Sequence, residues 1–365
     1  MTGPHTRPLT ELRAADEDRF GGKSTSLGEL IAAEIPVPPG FALSTSAFHA
    51  FLDEGGLEQR IAEALEGARA EDVETMRAAA ERIGAAIRAT PVPAAVREEI
   101  AARYADLAHA AGDDPEPPVA VRSSAVGEDS GEATFAGQQE TYLWVRGADG
   151  VCDAVRDCWA STYSAPAMSY RARMAADRHP EMGVTVQLMV DAAVSGVMFT
   201  CNPVSGDPGI VAVNASWGLG LGVVGGEVTP DEYLLSKITG EVVRQTVAAK
   251  HIEYRPAPGG RGTECVAVDA ERQSEACLDE ERLRALVDVA KRVHRYFGTH
   301  QDVEWALARG GEGLFVVQSR PVTATGAAAA EKPAAPEGAS ALSMVMSTFG
   351  AGGGAGKGER PEKDE

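Results

Sequence analysis

The sequence changes character once, at residues 112–118, and this change limits the folds that the chain can adopt. Before it, apolar residues recur at helical spacing among charged ones, over residues 58–90 and again over residues 94–111. The segment itself reads GDDPEPP, and closely spaced prolines end any helix. Short apolar runs bounded by Gly, Asp and Pro follow it, which is the pattern of strands. The sequence therefore predicts a helical region followed by a region rich in strands.

Seven apolar runs after residue 118 are predicted strands, and one later segment is a predicted helix. The runs are VAVR (119–122), TYLWV (141–145), VTVQLMV (184–190), GVMFT (196–200), GIVAVNAS (209–216), DVEWAL (302–307) and LFVVQSR (314–320). Residues 278–297 place apolar side chains on one stripe and are followed by Gly298, which predicts an amphipathic helix. Residues 326–365 are rich in Ala, Gly, Pro, Glu and Lys and predict a disordered tail.

The net negative charge of the sequence limits the possible binding partners more than it limits the fold. With 34 Lys and Arg against 54 Asp and Glu, the formal net charge is −20, which argues against binding to nucleic acid or an anionic membrane. A small anionic substrate stays possible, because a few basic residues and a metal can bind phosphate inside an acidic shell. The five cysteines include no C-x-x-C pair, which disfavours a disulfide framework or a zinc site. Without a signal-peptide pattern or a long apolar span, we expect a soluble cytoplasmic protein.

One glycine-rich segment resembles a dinucleotide-binding motif. Residues 220–225 read GLGVVG, which matches G-x-G-x-x-G and follows a predicted strand. The motif needs a helix that begins there, so that its first amides meet a pyrophosphate. Pro230 follows too soon for a helix of normal length. We therefore expect a glycine-rich loop near another ligand instead of a dinucleotide site.

Lys23 follows two glycines at the start of a predicted helix, with Leu27 and Leu30 on the buried face of that helix. A lysine at a glycine turn is a plausible phosphate contact. A capped surface helix would give the same pattern, so this segment alone does not define a site.

Arg122 stands at the end of the predicted strand VAVR, before a long segment rich in Ser, Gly and Thr. An arginine in this position can bind phosphate through its fork of donors, and the amides of the following segment can fold over the same anion. The alternative is a surface strand followed by a solvated loop. That alternative explains the length of the loop poorly.

The two runs DVEWAL and LFVVQSR are joined by ARGGEG and predict a hairpin that carries polar residues on one face. Alternation puts Asp302 and Glu304 on the same face of the first strand. Gln318 and Arg320 share a face of the second strand for the same reason.

The register of this hairpin decides which polar groups meet. If Ala308 pairs with Leu314, then Glu304 lies directly opposite Gln318. A carboxylate and an amide oxygen suit Mg²⁺ that is also held by substrate phosphates, and Arg320 would meet the same anion. The alternative to a metal site is an ordinary cross-strand pair of polar residues. The many apolar residues around Glu304 and Gln318 argue against this alternative.

Nine short segments occur in order over residues 20–323: GGKSTSLGEL, IPVPPGFALS, VAVRSSAVGEDS, FAGQQETYL, SGVMFT, NASWGLG, TPDEY, DVEWAL and VQSRPVT. Together they closely resemble the N-terminal ATP-binding domain of the phosphoenolpyruvate synthase, pyruvate phosphate dikinase and rifampin phosphotransferase family. The resemblance implies an α+β protein of the ATP-grasp fold, in which ATP is held between an N-terminal α/β subdomain and a mainly β C-terminal one. Residues 1–112 would form the first subdomain, residues 113–325 the remainder, and residues 326–365 the tail.

The resemblance also implies roles for single residues. Lys23 and Arg122 match the residues on the ATP phosphates, and Arg320 matches the arginine beside the transferred phosphates. Glu304 and Gln318 match the Mg²⁺ ligands. The implied cofactors are therefore ATP and Mg²⁺.

Two further segments match the parts of the family's site that cover and hold the nucleotide. The phosphate-covering loop corresponds to Thr134, Phe135, Ala136 and Gly137. Gln187 and Met189 match the hinge that meets the adenine, although the motif around them is short.

The family's complete enzymes also carry a phosphate-accepting histidine in a T-x-G-G-x-x-S-H segment, and none of the seven histidines here lies in such a segment. We therefore expect ATP to be cleaved, with AMP as product, and a phosphoryl or pyrophosphoryl group to pass to a histidine on a separate partner protein. Two alternatives stay open. One is a stand-alone ligase that forms an acyl phosphate and releases ADP, and the other is an ATP-binding regulatory subunit without catalysis.

Overall fold

A computed structural model describes residues 4–69, 71–112, 114–127, 140–173, 180–311 and 313–322. These residues form two compact units: unit 1 lies within Met1–Gly28 and Pro39–Met189, and unit 2 lies within Glu29–Pro38 and Val190–Glu365. Both units mix helices and strands. Among the described residues, every helix is too short or too polar to cross a membrane. The predicted tail, residues 326–365, lies outside the described residues.

Unit 1 combines a five-stranded sheet with helices. Its strands are β1 (Thr6–Pro8), β2 (Gly40–Leu43), β3 (Val119–Ala125), β4 (Thr141–Val145) and β5 (Met182–Leu188). Its helices are α1 (Glu17–Phe20), α2 (Gly22–Ala32), α3 (Thr45–Glu54), α4 (Leu57–Leu65), α5 (Val73–Ala89), α6 (Ala94–Ala110), α7 (Ala148–Ser161) and α8 (Ala165–Arg173), of which α2 continues past Gly28 into unit 2.

The sheet of unit 1 has the strand order β1-β2-β5-β3-β4, and all of its pairs are antiparallel. One face is apolar: Phe41, Val121 and Val186 lie in a core shared with helices α3 to α7. Because successive side chains of a strand point to opposite faces, the neighbouring residues Arg122 and Gln187 belong to the other face. This second face is the polar face of unit 1.

The predicted helices before residue 112 are confirmed, and α6 ends two residues before Gly112. The side chain of Asp72 caps α5 by accepting hydrogen bonds from the amides of Glu74 and Thr75. The predicted subdomain boundary after residue 112 lies inside unit 1, because strands β3, β4 and β5 complete the sheet that β1 and β2 begin.

Unit 2 contains a six-stranded sheet and a separate two-stranded one. Its strands are β6 (Ala192–Phe199), β7 (Ile210–Trp217), β8 (Asp231–Ser236), β9 (Val242–Thr246), β10 (Ile252–Pro256), β11 (Thr263–Ala267), β12 (Gln301–Ala308) and β13 (Leu314–Pro321). Its helices besides the end of α2 are α9 (Leu221–Val224), α10 (Ala270–Gln273) and α11 (Glu280–Phe297). All seven predicted strands and the long predicted helix are therefore present.

The large sheet of unit 2 has the order β13-β12-β6-β7-β8-β9, with every pair antiparallel. One face carries fully buried side chains such as Val303, Trp305 and Tyr233. Helix α11 begins after Asp279, whose side chain accepts the amide hydrogen of Arg282. It ends at Gly298, whose left-handed backbone suits glycine.

A buried ion pair ties distant parts of unit 2 together. Lys250 and Asp231 are both 0% exposed, and Nζ lies 2.5 Å from Oδ1. The amide of Ala248 also donates to Oδ1 at 3.0 Å. The other oxygen, Oδ2, accepts from the amide of Cys277 at 2.8 Å and from the hydroxyl of Tyr233 at 3.2 Å. Asp231 thus has four donors, and both of its oxygens are satisfied.

The glycine-rich segment at residues 220–225 does begin a helix, but a very short one. Helix α9 has four residues and follows β7, and the chain enters the antiparallel strand β8 directly after Pro230. A dinucleotide motif requires a longer helix after a strand of a parallel sheet. The prediction that this segment is not a dinucleotide site is consistent with this geometry.

Candidate functional site

In unit 1, the start of helix α2 packs closely on strand β3. Gly21 has a φ of +77°, and a Cβ atom on it would lie 2.1 Å from the backbone oxygen of Ser124. Only glycine fits this approach. The adjacent lysine, Lys23, is 7% exposed, and its Nζ donates to the backbone oxygen of Ser123 at 3.1 Å. The predicted phosphate lysine is therefore held beside the strand that carries Arg122.

Three buried hydroxyls fix this contact. The amide of Ser24 donates to Oγ of Ser124 at 3.2 Å, and the two serine hydroxyls lie 3.3 Å apart. Oγ of Ser24 also lies 2.7 Å from Oγ1 of Thr185 on β5. Helix α2 is thus bound to two strands of the sheet, on the polar face of unit 1.

Arg122 and Gln187 lie close together on the same polar face. Arg122 pairs with Thr185, and Gln187 pairs with Ala120, so the two are diagonal neighbours on adjacent strands. Gln187 is only 2% exposed, whereas Arg122 is partly exposed. The structure therefore brings three predicted residues of unit 1, Lys23, Arg122 and Gln187, to one region of one sheet.

Met189 directly follows strand β5 and is the last residue of unit 1. Its amide donates to the backbone oxygen of Pro118 at 2.9 Å, which prolongs the pairing of the strand end. The predicted phosphate loop, Thr134, Phe135, Ala136 and Gly137, lies outside the described residues.

In unit 2, Glu304 on β12 is paired directly with Gln318 on β13, which is the pair that the sequence predicted from an assumed pairing of Ala308 with Leu314. The pairing assumed for the hairpin end was wrong, because Leu314 pairs with Leu307 and not with Ala308. A β-bulge after Glu304 causes this shift of one residue. Bulges increase the local twist of a strand pair and often lie next to active sites.

Arg320 and Asp302 form the neighbouring pair on the same face. Nε of Arg320 donates to Oδ2 of Asp302 at 2.9 Å. Asp302 is 6% exposed, and no donor among the described residues lies within hydrogen-bond distance of its Oδ1. Burial raises the pKa of Asp302, the guanidinium of Arg320 opposes that shift, and the charge of Glu304 adds to it. Asp302 thus holds Arg320 through one of its two carboxylate oxygens.

The donor set of this hairpin fits a magnesium ion better than a transition metal. Glu304 offers a carboxylate and Gln318 an amide oxygen, both hard ligands. Among the described residues, no group of three or more His, Cys, Asp or Glu side chains is placed to hold a metal. Mg²⁺ commonly takes one or two protein ligands and completes its octahedron with water and substrate phosphate. The two residues fit that role.

The sequence patterns gave no role to two features of these regions. Asp302 was placed on the face of Glu304 by alternation alone, and its contact with Arg320 follows from the register of the hairpin. The contact between Ser24 and Thr185 joins residues 161 positions apart, and no local pattern in the sequence signals it.

The sequence matches the family described as "Pyruvate phosphate dikinase, AMP/ATP-binding domain" over residues 17–340. A probable phosphoenolpyruvate synthase of Staphylothermus marinus is 39% identical over 336 residues, which cover 86% of this chain and 40% of that protein. A rifampicin phosphotransferase of a Streptomyces species is 39% identical and is matched over 88% of this chain and 36% of its own length. The phosphoenolpyruvate synthase of Escherichia coli is 38% identical, with 86% of this chain and 41% of that protein covered. The chain spans less than half the length of these curated relatives.

Proposed function

Since the chain belongs to the pyruvate phosphate dikinase AMP/ATP-binding domain family, we propose that it binds ATP with Mg²⁺ and acts as an ATP-dependent phosphotransferase of the ATP-grasp fold. The direct pairing of Glu304 with Gln318, beside the Asp302–Arg320 pair, is the observation that carries this proposal. Four polar side chains on one sheet face provide ligands for a cation and a fixed donor for an anion. A sheet face with a purely structural role does not require four such polar side chains.

In unit 1, we assign the binding of the nucleotide to the polar face. Lys23 supplies a positive charge near the strand of Arg122, and the guanidinium of Arg122 can bind two phosphate oxygens at once. Gln187 and Met189 are proposed to meet the adenine, and residues 134–137 to cover the phosphates. The buried contacts of Ser24 hold Lys23 in place before any ligand arrives, which lowers the entropy lost on binding.

In unit 2, we assign Mg²⁺ binding to Glu304 and Gln318. When bound, the ion would neutralise charge on the phosphates and orient them. Arg320, oriented by Asp302, would donate hydrogen bonds to the phosphates that are transferred. Phosphoryl transfer depends mainly on positioning and charge stabilisation, and these residues supply both.

The acceptor that we propose is a histidine on a separate protein. An imidazole nitrogen attacks the β-phosphorus, the bond from that phosphorus to the oxygen bridging to the α-phosphate breaks, and AMP leaves with that oxygen. The histidine thereby gains a pyrophosphoryl group and loses its proton to solvent. The absence of a T-x-G-G-x-x-S-H segment from these 365 residues supports an acceptor outside them.

The test combines binding and product analysis on the full chain. Calorimetry with MgATP should give saturable binding for the wild-type protein, and Lys23→Ala should weaken that binding at least about tenfold. ATP labelled at the γ position is then incubated with Mg²⁺, the chain and a protein from the same genome that carries a T-x-G-G-x-x-S-H segment. Label on the protein together with AMP supports the proposal.

The controls separate the alternatives. Glu264→Ala, which alters a carboxylate paired with Arg255 on the two-stranded sheet, should bind and react like the wild type. ADP as the nucleotide product, without label on protein, would favour the ligase. Tight MgATP binding without any turnover would favour the regulatory subunit, and a wild-type chain that does not bind MgATP would overturn the proposal.

A further inference from the structure

Asn214 lies on the same sheet face as the proposed magnesium ligands. Across neighbouring strands, Gln318 pairs with Glu304, Glu304 with Val197, and Val197 with Asn214. Residues paired directly across antiparallel strands project from the same face. Asn214 is therefore two strands away from Glu304, about 10 Å at ordinary strand spacing. Val197 lies between them and is buried in an apolar cluster with Phe199 and with Val223 of α9.

The side chain of Asn214 is fully buried and forms no hydrogen bond with the residues that the structure describes. It is 0% exposed, and neither Oδ1 nor Nδ2 has a partner among the described residues. Ser216, the next residue of β7 on this face, is 3% exposed, and its Oγ likewise has no partner in the described part of the chain. Burying polar groups without hydrogen bonds is unfavourable, so such groups call for an explanation.

The adjacent residue Ser195 shows that a hydroxyl in this place can be satisfied by the fold. Ser195 on β6 is paired directly with Ser216 on β7. Its Oγ donates to the backbone oxygen of Gly218 at 2.6 Å, and the residue is 3% exposed. Two serines with the same burial, side by side, thus differ: within the described part of the chain, the hydroxyl of Ser195 has a hydrogen-bond partner and that of Ser216 has none.

We propose that Asn214 and Ser216 are substrate contacts that position the polyphosphate of the nucleotide. This inference rests on the proposed function, because Mg²⁺ at Glu304 and Gln318 would draw phosphate groups onto this face. The amide nitrogen and the hydroxyl are neutral donors that suit phosphate oxygens, and Oδ1 can accept from water in the shell of the cation. The two residues would contact phosphate oxygens other than those held at Glu304 and Gln318.

The experiment compares the paired serines on the full chain. Ser216→Ala and Asn214→Ala should each weaken MgATP binding about tenfold, which is the loss of one or two hydrogen bonds to a charged group. Affinity for AMP should stay within about twofold of the wild type, because AMP lacks the terminal phosphates. The urea midpoint of Ser216→Ala should not fall, since the substitution removes a hydroxyl that has no hydrogen-bond partner among the described residues.

Ser195→Ala is the matched control. It removes a hydroxyl that the fold uses, so it should lower the urea midpoint and leave MgATP affinity unchanged. If instead Ser216→Ala lowers the urea midpoint and leaves MgATP affinity unchanged, the two polar groups serve the fold through internal water and the inference is wrong. Wild-type binding of MgATP is measured first. If it is absent, the proposed function fails and this inference fails with it, whereas normal wild-type binding with unaffected variants overturns the inference alone.

Discussion

Asp231 and Asp302 are both buried on the six-stranded sheet of unit 2, but they lie on opposite faces and meet different numbers of donors. Asp231 accepts from Lys250 and from three other groups, which use both of its oxygens. Asp302 accepts from Arg320 through one oxygen, and its other oxygen has no donor among the described residues.

The difference agrees with the proposed roles, in which Asp231 serves the scaffold and Asp302 would serve a ligand. A buried carboxylate is stable when its hydrogen-bonding capacity is used, and Asp231 achieves this within the protein. Asp302 does not achieve it among the residues that the structure describes, and its neighbours on the same face are the proposed magnesium ligands Glu304 and Gln318. Burial alone therefore does not distinguish the two roles, whereas the number of satisfied oxygens does.

Replacing Asp231 by asparagine should have the largest effect. The substitution leaves the charge of Lys250 buried without a counter-charge, which typically costs about 3–5 kcal/mol. Urea unfolding followed by circular dichroism should show this loss in the free energy of unfolding.

The same substitution at Asp302 is the matched control. Asp302→Asn removes a charge whose burial is already unfavourable and leaves the partly exposed Arg320 in contact with solvent. Its free energy of unfolding should stay within about 1 kcal/mol of the wild type. Equal losses for the two variants would contradict the comparison.

Replacing Glu304 by alanine tests the ligand face directly. Removal of the only carboxylate in the proposed magnesium pair should lower MgATP turnover on the order of a hundredfold, because charge on the phosphates is then less neutralised. Steady-state assays over a range of Mg²⁺ concentrations measure this, and excess Mg²⁺ should restore part of the rate. An unchanged rate at limiting Mg²⁺ would remove Glu304 from the site.

The Asp302→Asn variant should also have a smaller effect on affinity. Asparagine holds Arg320 less firmly than a carboxylate, so MgATP affinity should fall about tenfold while AMP affinity is retained. Calorimetric titration with both nucleotides provides the measurement. A loss that is equal for AMP and ATP would indicate general damage and not a phosphate contact.

The smallest expected effect is the pH dependence of the free energy of unfolding that arises from His300 in unit 2. Burial lowers the pKa of His300, and the nearby His294 and Lys237 lower it further. The unfolded chain therefore binds this proton more readily than the folded one, so the stabilisation is present above about pH 6.5 and is lost as the pH falls through the lower folded pKa.

Urea midpoints at pH 7.5 and 5.5 should show this loss in the wild type, and His300→Gln should reduce it. The measurement separates histidine protonation from any acid effect on the two aspartates. An identical pH dependence in wild type and variant would assign the loss to other groups.

Much of the candidate site was predictable because it depends on local order. Strand alternation placed Asp302 and Glu304 on one face, but Glu304 lies opposite Gln318 only because the bulge after Glu304 offsets the one-residue error in the pairing assumed at the hairpin end. A bulge arises from sheet twist and packing, and the apolar pattern of the two strands does not signal it.

The parts that escaped prediction depend on contacts between distant segments. Strands β8 to β11 do not correspond to any of the seven apolar runs that predicted strands. Strand β9 is exposed along its whole length. The predicted boundary after residue 112 rests on a break in the local pattern, and the strands β2, β3 and β5, which lie on both sides of that residue in the sequence, pair in one sheet of unit 1. The pairing of strands that lie so far apart in the sequence cannot be predicted from any short segment of it.

The contact between helix α2 and strands β3 and β5 also has a consequence for the order of folding. Ser24 meets Ser124 and Thr185, which follow it by 100 and 161 positions. A nascent chain has made Lys23 long before it contains the strands that hold this residue in place. Contacts of such wide separation close late and slow the search for the native state. The phosphate binding that we propose for unit 1 should therefore arise only after strand β5 has joined the sheet.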